Sequence, residues 1–392
     1  MNKFDTIFKN CQIWQKDCSV HNTWLAVKDG VIAEYGNNEN VPADSHAEKV
    51  VDVENNWVFP GLHDCHMHGD LCGLKTNPLK FLKHPKSIRE FKENLAKMVG
   101  GPEKHGQWLK GYGWDDEIMD RYPNKFDIDQ VCSDRPIILY RICYHILVAN
   151  SKALEICKVM PDGVLEVFPD GHEHAGQLTG VLKEYQQHAL VTKHMPEETS
   201  EEKQGDIMAT LNELVKCGVT SVHVQDAGCW PHYKYLAEEN KLPINCYLAP
   251  SFKDQDIEGN FPDKPVKRLG KLQCDTVKVF IDGALRAQTA ALSLPYVNTD
   301  KENNLGMLQY TEEELLGFID RINRRGFRLE IHTIGDRAAD VALNCLEKAG
   351  VPPQMRPIFV HCQILRDDLI DRFIGLVLMF VLPLIYRFRF YC

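Results

Sequence analysis

Apolar and polar positions alternate with a period of two along residues 4 to about 60, in the runs FDTIFKNCQIW, TWLAVKDGVIAEYG and KVVDVENNWVF. That period marks strands with one buried face, so a small β unit is expected first. Asp29 and Gly30 split the second run with the residue pair that a two-residue hairpin turn prefers. After residue 200 the period changes. Met208, Leu211, Leu214 and Val215 recur at helical spacing, Gly218 stops them, and VTSVHVQD follows as a strand. The alternation then continues with a helix over 233–239, the strand INCYLAP, a loop rich in Asp and Pro, and the strand TVKVFIDGA. A helix over 311–325 leads into FRLEIHTIGD, and one over 336–349 leads into PIFVHCQ. In the last helix Ala338, Val341, Ala342, Cys345, Leu346 and Ala349 form one apolar stripe, closed by Gly350. Repeated strand–helix units predict a parallel sheet covered on both faces.

Between these regions, from about 70 to 200, the pattern is irregular. Helices are expected over 87–98 and 151–159, with no repeat, low-complexity tract or flexible linker. GYGWDDEIM, residues 111–119, joins Gly-bounded turns to Trp114 and two carboxylates, Asp115 and Asp116. Such a loop suits a substrate pocket, and equally a surface turn with one packed Trp. RPIILYRICYHILVAN is a strand-like run interrupted by His145, which fits a core position more readily than a ligand.

Composition narrows the classes. The 392 residues are 44% apolar and 26% charged, as in a globular protein with a full core. A net charge of −10, with no basic run interleaved with aromatics, argues against a nucleic-acid partner. Fourteen cysteines lie scattered without finger spacing, and MNKFDTIFKN has no apolar signal region, so a reducing, cytoplasmic location is expected. The apolar stretch 374–386 is interrupted by Pro383 and is shorter than the ~20 residues of a spanning helix, so no membrane span is expected.

The chemistry starts at VFPGLHDCHMHGD, residues 58–70. His66 and His68 are two apart, so on an extended chain both imidazoles face one side and can reach one ion, for which zinc is the natural candidate. Pro60 and Gly61 break the chain before this strand and Gly69 ends it. A second such pair, His172 and His174 in PDGHEHAGQ, has no strand before it and reads as a solvated turn. Lys278, His332 and His361 lie in or at the ends of three later strands. Taken singly, each has an ordinary reading: Lys278 as a strand-end lysine reaching solvent, the histidines as residues that open helices. Together they fit a (β/α)₈ barrel, whose active site gathers at the C-terminal strand ends.

FPGLHDCHMH, VKVFIDGALRAQTAAL, IHTIGDRAADVAL and VHCQIL, in this order, resemble the metal-dependent amidohydrolase superfamily, specifically family 3, the branch that includes N-substituted formamide deformylases. GYGWDD, the run around His145 and LTGVLKE are similar to that branch too. The resemblance implies a TIM-like (β/α)₈ barrel over 61–373 with a large insertion at about 70–200, and a small β-sandwich domain formed by strands in 1–60. It implies one or two divalent metals, usually zinc. His66 and His68 would bind the first, a carboxylated Lys278 would bridge, and His332 and His361 would hold the second. Lys278 and His332 would be the catalytic pair, with Trp114, Asp115 and His145 at the substrate. The implied reaction is hydrolysis of a non-peptide carbon–nitrogen bond, amide or N-formyl, in a small molecule, because a bound Zn²⁺ brings the pKa of its water to about 7. A deaminase or a cyclic-amide hydrolase would use the same barrel. The family's Asp at the end of the eighth strand has no counterpart before the chain ends, and 374–392 reads as an apolar tail outside the family pattern. The expected barrel is therefore incomplete at its C-terminus, and the rival reading is an inactive shortened form that keeps its metal ligands.

Overall fold

The computed structural model describes residues 3–14, 20–69, 82–100, 108–142, 146–252, 260–285, 288–297, 303–375 and 379–381. The chain divides into two compact units, Met1–Leu62 and His63–Cys392.

In the first unit the strands Phe4–Trp14, Val20–Lys28, Val31–Asn37, Ala47–Asp52 and Trp57–Val58 form one sheet, with the first strand pairing to all but the third. Asp29 and Gly30 have φ of 53° and 76°, and Lys28 lies opposite Val31, which is the two-residue turn expected from the sequence. One face of the sheet buries Ile7, Trp24, Ala26 and Ala47. On the other, Phe8, Leu25, Val51 and Val58 line a shallow hollow. A two-layer sandwich was the expectation; the described strands supply one layer.

Among the described residues of the second unit, seven strands form the parallel framework, and a hairpin of Val266–Leu269 and Leu272–Cys274 adds a short strand parallel to Asn245–Leu248. Leu62–Met67 neighbours Val219–Val224, which pairs with Asn245–Leu248. Thr276–Phe280, Arg328–Thr333, Ile358–His361 and Met379–Val381 then pair in chain order. A parallel bridge between Ser251 and Lys278, with the Lys278 N–H donating to the Pro250 carbonyl at 2.9 Å, links the two groups of strands. Helices return the chain from strand to strand: Trp230–Glu238, Glu312–Arg324, Asp336–Lys348 and Asp367–Gly375. The helix Glu312–Arg324 starts where Thr311 and Glu314 cap each other's backbone N–H groups, and it buries Leu315, Ile319 and Ile322 on one stripe. Among the described residues no strand pair joins Met379–Val381 to Leu62–Met67, so the sheet is barrel-like without a closed ring of hydrogen bonds. Met379–Val381 takes part of the apolar tail as a seventh parallel strand. No helix among the described residues is long and apolar enough to cross a membrane.

The irregular region carries its own four-stranded sheet, Leu109–Trp114, Ile137–Arg141, Ile146–Ala149 and Val181–Lys183. The helix expected over 87–98 is Ile88–Val99, capped by the Ser87 side chain, and the one expected over 151–159 is the shorter Ser151–Ile156.

Candidate metal centre

The curved sheet brings the first strand close to the sixth. The rings of His66 and His361 have centroids 4.9 Å apart, His361 lies 4.6 Å from His332, and His66 lies 5.3 Å from His68. Lys278 has no exposed surface, and its Nζ donates to Glu330 Oε1 at 3.0 Å. All five sequence-predicted metal residues therefore gather in one neighbourhood. The rings touch in a chain, however, and among the described residues no three His, Cys, Asp or Glu side chains meet closely enough about one point to hold an ion.

Hydrogen bonds fix the protons on two of the rings. His332 Nε2 lies 3.0 Å from the Gly283 carbonyl, which can only accept, so Nε2 carries the hydrogen and Nδ1 the lone pair. That Nδ1 is buried without a hydrogen-bond partner, as is Nδ1 of His66. His68 Nδ1 lies 3.1 Å from Asp226 Oδ1, which leaves its lone pair on Nε2. A ring that donates one N–H to a carbonyl or carboxylate and keeps the other nitrogen bare is set up as a metal ligand. The donor set thus fits a divalent ion bound by imidazole.

Electrostatics keep the cluster neutral. Burial, then Lys278 and the neighbouring rings, drives His66 far below the ordinary histidine range. Burial, His361 and Lys278 do the same to His332, and burial with Lys278 brings His361 down to about 4. Burial also lowers Lys278, against the pull of Glu330. Neutral imidazole is the form that binds metal, so no proton has to be displaced from these rings near pH 7.

The backbone at His361 is unusual. His361 and Cys362 have φ of 76° and 43°, a conformation costing of order 1–3 kcal/mol for each such residue. Two tethers hold it: Cys362 N–H donates to the Thr333 carbonyl at 2.8 Å and Ile364 N–H to the Ile334 carbonyl at 3.0 Å. The loop after Phe280 is fixed by Asp282, which accepts from the backbone N–H groups of Ala291, Ile334 and Gly335, and which burial pushes up to about 6.

The expected substrate residues fare differently. Trp114 has no exposed surface and its indole N–H donates to the Leu139 carbonyl at 2.8 Å, so it packs the insertion's core and leaves no face for a ligand. Asp115 binds Arg141 at 2.6 Å, with Asp116 on the same guanidinium. His145 lies outside the described residues. His172 and His174 occupy a turn and stack on Phe168 and Phe126, away from any strand end.

Three residues of the cluster escaped the sequence reading. Glu330 is fully buried, with Oε1 3.8 Å from His66 Nδ1 and Oε2 3.2 Å from His223 Nε2. It stands two before His332, and period two puts both on one face of the strand. His223 and Asp226 stand at the end of VTSVHVQD, the same strand-end position that singled out His68.

Imidazoles gathered at the C-terminal ends of a parallel sheet define a class, the barrel-like α/β proteins whose functional site lies at the strand ends. Sequence comparison gives the family: the chain belongs to the amidohydrolase family, family 3 of the superfamily, whose model matches residues 49–384 and so runs into the stretch read as a non-family tail. YtcJ of Bacillus subtilis (strain 168), named as an amidohydrolase, is 28% identical over 88% of this chain and 66% of its own length. N-substituted formamide deformylase of Arthrobacter pascens is 22% identical over 82% of this chain and 62% of its own. Among solved structures, an uncharacterized metal-dependent hydrolase from Pyrococcus horikoshii OT3 superposes with a TM-score of 0.76 at 26% identity, covering 96% of this chain and 74% of that one. The chain thus spans about two thirds of the length of these curated relatives.

Proposed function

We propose that this chain is a metal-dependent hydrolase acting on a non-peptide carbon–nitrogen bond, an amide or N-formyl group, of a small molecule. The observation that carries the reading is the pair of oriented rings, His68 with Nε2 facing away from Asp226 and His332 with Nδ1 bare, in one cluster with His66 and His361. His66, His68, His332 and His361 would hold one or two divalent ions, zinc by donor type. Bound there, the ion would supply an acidified water and a Lewis acid for the carbonyl. Lys278, whose Nζ donates to Glu330, would by the family resemblance take up a carboxylate and bridge the ions. Asp282 and Gly283 hold His332 in place from the loop after Phe280. By the family resemblance Asp115 and His145 would contact the substrate, with Trp114 supporting them from the core of the insertion. The relative named N-substituted formamide deformylase supports N-formyl amines as first substrates to try. The test is elemental analysis of the purified chain and turnover of N-formyl amines, simple amides and cyclic amides, before and after chelation. The expected result is bound zinc and chelator-sensitive formate release. A chain that binds no divalent ion would refute the reading.

A further inference from the structure

His68 is more open than His66 or His332, its side chain 35% exposed against 15% and 12%, and it stands one residue beyond the end of its strand. Neither position holds a ring in place. Three neighbours do. Asp226, from just past the end of the adjacent strand Val219–Val224, is 6% exposed and faces His68 Nδ1 at 3.1 Å. The Gln225 N–H donates to the Met67 carbonyl at 3.1 Å, which locks the two strand ends in register one residue before each partner. Gly69 provides the clearance: a Cβ at that position would lie 2.8 Å from the Tyr233 hydroxyl and 3.2 Å from Asp226 Oδ2. Tyr233 is fully buried on the helix Trp230–Glu238, so it cannot yield by swinging into solvent.

Resting on the metal reading above, we propose that Asp226 is the positioning residue of His68, and that Gly69 follows the His-x-His pair because any side chain there would push Asp226 off the ring. The carboxylate does two things at Nδ1. It accepts the N–H, which leaves the Nε2 lone pair facing away from Asp226, and its charge makes that nitrogen a stronger donor. An amide in its place keeps the first effect and loses the second. A side chain at Gly69 would meet both Tyr233 and Asp226, and its effect on His68 passes through Asp226.

Zinc affinity of the full chain, measured by competition with a chromophoric chelator, tests this with Asp226→Ala, Asp226→Asn, Gly69→Ala and the Gly69→Ala/Asp226→Ala double variant. Asp226→Ala is expected to weaken zinc about 10- to 100-fold, the usual scale for losing a ligand's hydrogen-bond partner. Asp226→Asn is expected to fall between it and the parent. Gly69→Ala is expected to weaken zinc by less than Asp226→Ala, and the double variant to fall short of the sum of the two losses, since both act on the Asp226–His68 contact. Melting in excess chelator separates this from general damage, because Asp226→Asn should melt with the parent there and lose only part of the zinc-induced rise. If Asp226→Ala fails to fold, Asp226→Asn carries the test. Parent-like zinc affinity in the Asp226 variants overturns the proposal while leaving the metal reading intact, as does a double variant whose losses add. A parent chain that binds no zinc brings down both.

Discussion

Lys278→Met isolates the buried ion pair at the base of the centre. Lys278 Nζ and Glu330 Oε1 are 3.0 Å apart and both side chains are essentially without solvent exposure. At that distance and an effective dielectric of about 20, the attraction is about 5–6 kcal/mol. Methionine keeps the length of the side chain and removes its charge, so Glu330 becomes a buried carboxylate with only two imidazoles beside it, His223 at 3.2 Å and His66 at 3.8 Å. Stranding one member of a buried pair costs about 3–5 kcal/mol, whereas replacing both by apolar groups is close to neutral. The loss should grow with pH. A stranded carboxylate favours its proton in the folded state above the unfolded value of about 4.3, so the folded chain holds more protons and stability falls as pH rises through that interval. The assay is urea unfolding at pH 5.5 and pH 8 with chelator in every sample, comparing Lys278→Met, Glu330→Leu and the double variant. A Lys278→Met loss below about 1 kcal/mol at pH 8, or a double variant as unstable as the single, would refute the ion-pair reasoning.

Other consequences can be checked separately. His68→Ala should lower the zinc content of the purified chain while His172→Ala leaves it unchanged, read by elemental analysis. Gly335→Ala places a Cβ 1.9 Å from the Ala291 carbonyl oxygen and should cost at least the ~1–3 kcal/mol typical of overpacking. Gly317→Ala, in open space on the helix Glu312–Arg324, should instead raise stability by about 0.5–1 kcal/mol, both read by thermal melting. Burial pushes the Cys246 thiol up to about 12 and those of Cys345 and Cys362 up to about 11, so iodoacetamide at pH 8 should label the exposed Cys65 and Cys217 before these three, as seen by peptide mapping.

What the sequence made legible were features written locally. The Asp29-Gly30 turn and the stripe from Ala338 to Ala349 depend on neighbours within a few turns, and the structure carries both. The gathering of His66, His68, Lys278, His332 and His361 was readable because strand-end position is a sequence property once strands alternate with helices. Glu330 was hidden because a charged residue amid Leu329 and Ile331 looks like the solvent-facing member of an alternating strand, and only the curvature of the sheet turns that face inward. Trp114 misled for the opposite reason: glycines on either side of an aromatic resemble a loop, yet residues 109–114 form a strand that buries the ring. The tail is apolar at nearly every position and gives no periodicity, so it reads as a substituted seventh strand without bounds, and Met379–Val381 supplies that strand.

The insertion between the first and second parallel strands also bears on how the molecule assembles. Leu62–Met67 pairs with a strand that begins only at Val219, while the next neighbour in the sheet begins at Asn245, about twenty residues after Val224. Closing a flexible loop of ~150 residues in place of ~20 costs about 2 kcal/mol more in chain entropy. The intervening chain has its own sheet and its own buried cluster, so it can collapse first and shorten that loop before the ends meet. The order of events then follows: helix and strand pairs after residue 200 form from near contacts, the insertion condenses on its own, and His66 and His68 are delivered to His332 and His361 last. A ribosome would release the first two histidines long before their partners exist, leaving an unpaired strand to wait through most of synthesis.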